Sequence, residues 1–184
     1  MNLANLLTFG RLIVSPIVFV LYYFGDSKLQ FAGLIVFVLG AISDFWDGYI
    51  ARKIKAESYW GKLWDPIADK CLTSFALVAL SSIGLLPWWV TVALILRDVA
   101  ITTLRLVRLQ TSGGIILPVF AAKLKTTFEF ILLTSLLAWK ALLQRPLGQT
   151  LETIVIAYSA LLIILSWGTG IHYLLAALRK KESQ

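Results

Sequence analysis

A chain of 184 residues that is 59% hydrophobic and only 15% charged is too apolar for an ordinary soluble domain, which runs nearer half apolar and a quarter charged. The net charge of +7 would suit a nucleic-acid binder, but the basic residues fall mostly in the gaps between apolar runs, where membrane orientation explains them better. Cys71 is the only cysteine, which excludes an intrachain disulfide framework.

A helix needs about 20 apolar residues to cross a hydrocarbon core. Six runs meet that requirement once polar insertions are allowed, and they predict an all-α integral membrane protein with spans at 8–24, 31–51, 62–85, 88–108, 122–143 and 151–176. The first run lacks a basic leader and a small-x-small cleavage site, so it reads as a helix and not as a signal peptide. Pro16 is expected to kink it. The second run ends in Asp44 and Asp47, and the third opens with Asp65 and Asp69. Pro87 breaks the turn into the fourth, which begins at Trp88 and Trp89 and carries Arg97. Lys123 and Lys125 open the fifth, and the sixth holds His172, the only histidine, for which a structural or interfacial role is expected. Long runs without alternation favour helices over a barrel. No tandem repeat or dividing linker is visible, so residues 1–184 read as a single membrane-embedded domain.

Lysine and arginine placement orients the bundle. Arg11, Arg52, Lys53, Lys55, Lys62, Arg105, Arg108, Lys123, Lys125, Arg179, Lys180 and Lys181 fall on one side, against Lys28, Lys140 and Arg145 on the other. Twelve against three puts both termini in the cytoplasm. Lys70 and Arg97 remain, both inside spans.

The stretch "SDFWDGYIARKIKAESYWGKLWDPIADK", residues 43–70, is the chemically unusual part. At about 100° per residue, Asp44, Asp47, Gly48 and Ala51 share an arc of roughly 100° on one helix. Gly61, Asp65 and Asp69 share an arc of roughly 80° on the next. Two helices joined by a short cytoplasmic loop are expected to be antiparallel neighbours with their acidic faces opposed. An aspartate at the bilayer centre costs about 2.5–3.5 kcal/mol, so four of them call for compensation. Arg52 and Lys70 are close in sequence but offset from the stripes. Two divalent cations would balance four carboxylates, and oxygen-only donors favour Mg²⁺ or Mn²⁺. Such ion pairs typically clamp a phosphate or diphosphate. Gly48, Ala51 and Gly61 leave room for a bulky ligand beside them.

Asp44-x-x-Asp47-Gly48-x-x-Ala51-Arg52, eight residues, then Gly61-x-x-x-Asp65-x-x-x-Asp69 resembles the full signature of the CDP-alcohol phosphotransferases. The resemblance implies that family's six-helix fold, usually as a homodimer, and attack by an alcohol on the β-phosphate of a CDP-linked lipid with CMP leaving. It also implies that Asp44, Asp47, Asp65 and Asp69 hold two divalent cations and that Asp69 is the catalytic base. Gly48, Ala51, Arg52 and Gly61 would line the CDP-lipid site.

The acceptor has to be read elsewhere. Arg97 and Arg105 lie about 80° apart on one helix, and Lys123 and Lys125 open the next span. A pocket of these four cations suits a phosphate-bearing acceptor. Arg97, deep in its span, needs a partner. Asp98 points elsewhere on the helix and is not expected to supply one. Glu129 is expected to form a local ion pair with Lys125 at i, i+4. "NLLTFGRLIVSPIVF", "DPIADK", "RDVAITTLR" and "KLKTT" resemble the phosphatidylglycerophosphate synthase branch over roughly residues 3–130, with Ala122 where glycine is expected and Asp98 where glutamate is commoner. That branch implies CDP-diacylglycerol as donor and sn-glycerol 3-phosphate as acceptor, with Asn5 and Thr8, together with Arg11, bordering the nucleotide site. Other acceptors within the family are inositol phosphate, serine and phosphatidylglycerol. A divalent-cation transporter is the alternative from another class, but carboxylates gathered toward one face without an inverted repeat count against it. Membrane lipids are then the surroundings and nucleic acid is not a partner. The expected location is a bacterial inner (cell) membrane, with the active site facing the cytoplasm.

Overall fold

The computed structural model describes residues 3–54, 59–112 and 120–179, with side chains described over 10–43, 67–68, 70–104, 124–168 and 170. Among the described residues the chain forms six helices and no strand. These are α1 (Leu3–Tyr23), α2 (Ser27–Ile54), α3 (Tyr59–Ser82), α4 (Trp88–Ser112), α5 (Phe120–Leu143) and α6 (Gln149–Arg179). Each matches one of the six apolar runs, and two stop short of the expected end: α1 at Tyr23 against 24, and α3 at Ser82 against 85. Several helices extend past the apolar edge, as at Ser27 and Arg179, because backbone hydrogen bonding continues into polar sequence.

Local chemistry explains the ends. Asp26 caps α2: its Oδ1 accepts the Leu29 amide at 3.0 Å, satisfying one of the donors a helix start leaves open. α3 closes with a Schellman turn. Gly84 takes φ +76°, its amide donates to the Ser81 carbonyl at 3.1 Å, and the Leu85 amide donates to the Leu80 carbonyl at 2.9 Å. Leu80 and Leu85 are both buried, which supplies the apolar contact that accompanies this motif. Pro87 follows, its carbonyl accepting the Val90 amide as α4 begins. α1 runs unbroken through Pro16, and Ser15 donates its hydroxyl to the Arg11 carbonyl at 2.6 Å.

α3 packs against α1, α2, α4 and α5, while α6 packs against α4 and α5. Burial follows the same pattern: Leu72, Ala76, Leu77, Ala79 and Leu80 of α3 are enclosed, together with Val18, Tyr22, Phe37, Leu94, Leu133 and Leu137. Buried hydroxyls tie the layers together. Tyr22 donates to the Leu137 carbonyl at 3.0 Å, and Ser81 and Thr91 hydrogen-bond at 2.7 Å. The outward faces are apolar too. Ile13, Ile17 and Val20 on α1, Phe31, Ile35 and Leu39 on α2, and Leu161, Ile164 and Leu165 on α6 are all exposed. Large apolar side chains repeating along the outer faces of these helices are what lipid contact selects. Leu124–Leu143 and Gln149–Gly168 are long and apolar enough to cross a membrane on length and composition alone.

Candidate functional site

α2 carries Asp44, Asp47, Gly48, Ala51 and Arg52 in its C-terminal half, and α3 carries Gly61, Asp65 and Asp69 in its first half. The two helices also contact each other. The helical spacing on which the two stripes depend is therefore present in the backbone. The side chains of these residues, and those of Asn5, Thr8, Arg105, Lys123 and His172, lie outside the described residues. The donor set is four carboxylates on two packed helices, all hard oxygen ligands. By its chemistry it suits divalent cations.

The described part of the site begins one residue further along α3. Lys70 Nζ lies 3.2 Å from Asp98 Oδ2, joining α3 to α4. Asp98 Oδ1 accepts two more charged donors, Arg97 Nη1 at 2.9 Å and Lys125 Nζ of α5 at 2.9 Å. Lys125 Nζ also approaches Glu129 Oε2 at 2.6 Å. Arg97 Nε donates to the Ser166 carbonyl of α6 at 3.0 Å. Five ionic side chains thus pin α3, α4, α5 and α6 together beside the aspartate-bearing segment.

Four of the five are buried, and Lys70 is partly exposed. Asp98 is 4% exposed, Lys125 1% and Glu129 0%, and Arg97 is also buried. Unpaired charges would be prohibitive at such positions, and each cation here meets a carboxylate. Among the described residues, three cations, Lys70, Arg97 and Lys125, face two carboxylates, Asp98 and Glu129. An ammonium has three donors. Lys125 donates one of them to Asp98 and forms an ion pair with Glu129 Oε2, while neither oxygen of Glu129 has a hydrogen-bond partner among the described residues.

Two sequence expectations can be compared directly with these side chains. The Lys125–Glu129 pair forms as the i, i+4 spacing suggests. The expectation that Asp98 would not partner Arg97 is incorrect. Although their Cα–Cβ bonds diverge by about 100°, the arginine is long enough to bring Nη1 back to the neighbouring carboxylate. Of the four cations expected to bind an acceptor phosphate, Arg97 and Lys125 converge on Asp98. Arg11, on α1, is also buried. Sequence reading missed the central role of Asp98 and the part played by Lys70. The available signal was a lone carboxylate inside α4 with cations at comparable positions in the adjoining helices.

The family model for CDP-alcohol phosphatidyltransferases matches residues 1–172. Several relatives carry matching names. A Mycobacterium tuberculosis protein named "Probable phosphatidylglycerophosphate synthase" is 34% identical over 97% of this chain and 82% of its own length. The Bacillus subtilis CDP-diacylglycerol–glycerol-3-phosphate 3-phosphatidyltransferase is 34% identical over 74% of this chain and 76% of its own. The protein of that name from Wigglesworthia glossinidia brevipalpis is 31% identical over 76% and 78%.

Proposed function

The chain belongs to the CDP-alcohol phosphatidyltransferase family, and from that premise we propose that it is a membrane transferase that moves the phosphatidyl group of CDP-diacylglycerol to sn-glycerol 3-phosphate, releasing CMP. The observation that carries this reading is the similarity, across most of the chain, to transferases named for that donor and acceptor. The complete aspartate signature on two packed helices agrees with it.

In the reaction, Asp69 accepts the proton of the acceptor hydroxyl. The freed oxygen attacks the β-phosphorus, a new phosphate ester bond forms, and the anhydride bond to CMP breaks. Asp44, Asp47, Asp65 and Asp69 would hold two divalent cations, Mg²⁺ or Mn²⁺, which when bound supply charge neutralisation at the diphosphate. Gly48, Ala51, Arg52 and Gly61, with Asn5 and Thr8, border the nucleotide and diphosphate. Arg97, Arg105, Lys123 and Lys125 make the end of the site that receives the acceptor phosphate.

The setting fits the chemistry. The lipid donor stays in the bilayer while a soluble acceptor arrives from water, so the reacting groups belong at a membrane edge. We read residues 1–184 as one domain of six transmembrane helices in a bacterial cell membrane, both termini and the site on the cytoplasmic side, working as a homodimer. The twelve-to-three asymmetry of basic residues and the apolar outer faces support this arrangement.

The test is an acceptor assay with purified protein, CDP-diacylglycerol and radiolabelled acceptors. Label from glycerol 3-phosphate should enter lipid with stoichiometric CMP. Incorporation of inositol phosphate but not of glycerol 3-phosphate would overturn the acceptor assignment.

A further inference from the structure

We propose that Asp98 is a positioning residue for the acceptor: it fixes the cations of the acceptor site in a preformed array and so sets affinity for a phosphomonoester without touching it. This rests on the reading of the acceptor site above. Asp98 is one carboxylate shared by three cations from three helices, with Lys70 on Oδ2 and Arg97 and Lys125 on Oδ1. Without it, Lys70, Arg97 and Lys125 would be crowded together at low dielectric and would repel one another. A lysine is a flexible point charge whose direction must be imposed by its surroundings. Here Asp98 Oδ1 and Glu129 Oε2 lie 2.9 and 2.6 Å from Lys125 Nζ, which fixes the direction of the ammonium.

The charge count makes the proposal discriminating. Whatever the local charge, removing that of Asp98 makes it more positive by one unit. If Asp98 merely competed with the acceptor for these cations, its neutralisation would tighten acceptor binding. If it positions them, neutralisation weakens binding although the site becomes more positive. The bond from Asp98 to Lys70 adds a second consequence. Lys70 adjoins Asp69 in α3, so the same carboxylate ties the acceptor end of the site to the helix that bears the catalytic base. A soluble acceptor gains from such preorganisation, because little ordering is left to do on binding.

The experiment compares Asp98→Asn, Asp98→Glu and wild type in detergent, with the KM for acceptor and for CDP-diacylglycerol measured separately. Asp98→Asn should raise the acceptor KM about tenfold or more while the donor KM stays within about twofold. Asp98→Glu, which keeps the charge, should recover most of that loss. An unchanged or lowered acceptor KM in Asp98→Asn, or equal shifts for both substrates, overturns the proposal. If Asp98→Asn does not yield folded protein, Lys70→Gln, which removes one of the three cations that Asp98 anchors, carries the test: an acceptor KM raised about twofold or more with the donor KM unchanged supports positioning, and an unaltered acceptor KM overturns it. Wild-type acceptor identity separates this inference from the functional reading. If wild type uses another phosphorylated acceptor, the acceptor assignment falls and the same ratios are read with that acceptor. If it uses no phosphorylated acceptor, both fall.

Discussion

Asp98 and Lys125 are separated by 27 residues in sequence and meet at 2.9 Å, both almost wholly enclosed. Their contact couples α4 to α5. Glu129, behind Lys125 on the same helix, depends on that lysine, its only ionic partner among the described residues. Breaking a buried charge set by removing one member leaves the others uncompensated. Lys125→Met should therefore destabilise the protein by about 3–5 kcal/mol, seen as a lowered thermal midpoint in detergent. Lys125→Met with Glu129→Leu should be more stable than the single variant, because the stranded carboxylate is gone. A single variant as stable as wild type would show that Glu129 is not held by this pair.

The fold was largely legible because apolar runs report helix existence directly, and the six runs correspond to α1–α6. Helix ends were less so. The run expected over 31–51 belongs to a helix spanning Ser27–Ile54, because hydropathy reports where lipid contact stops and not where backbone hydrogen bonding stops. The Lys125–Glu129 pair was readable because both members share one helix. The pairing of Lys70 with Asp98 was not, since it depends on which faces of α3 and α4 meet. Arg97 was misjudged because a helical projection treats side chains as rigid spokes, and arginine can fold back across the angle to its neighbour.

Gly84 gives a test of the α3–α4 turn. It takes φ +76°, and a Cβ built there would meet no atom within 4 Å, so any penalty comes from the backbone and not from a clash. Gly84→Ala should cost about 1–2 kcal/mol, the usual penalty of the left-handed region for a residue with a Cβ. Gly148 also has open space and no positive φ, so Gly148→Ala serves as a control expected within about 0.5 kcal/mol of wild type. Equal thermal midpoints for the two variants would remove the conformational explanation of the turn.

Membrane orientation can be checked by labelling. In a Cys71→Ser background, cysteines placed at Lys28 and Arg145 should react with an impermeant maleimide in intact cells. Cysteines at Lys53 and Gln184 should react only after the membrane is opened. The reverse pattern would invert the proposed topology, and a mixed one would change the number of crossings.

Arg105 is proposed to contribute to the acceptor end of the site. Arg105→Ala should raise the acceptor KM about tenfold or more, in line with loss of a charge-assisted contact to phosphate, with a much smaller change for CDP-diacylglycerol. Equal effects on both substrates would place Arg105 outside an acceptor-specific role.

The four aspartates should separate by function even though all are carboxylates. If Asp69 is the base, as proposed, it is needed for proton removal, so Asp69→Asn should retain CDP-lipid binding while turnover falls about 10²–10⁴-fold. Asp65 acts only as a ligand in this reading, so Asp65→Asn should leave some turnover but raise the cation concentration for half-activation by about tenfold, since a charged oxygen donor is lost. Chelation should stop CMP release by wild type, and Mg²⁺ or Mn²⁺ should restore it. Near-normal turnover by Asp69→Asn would remove it as the base. An Asp65→Asn activation curve that superimposes on wild type would remove it from the cation site, leaving its place in the signature without a role in binding the ions.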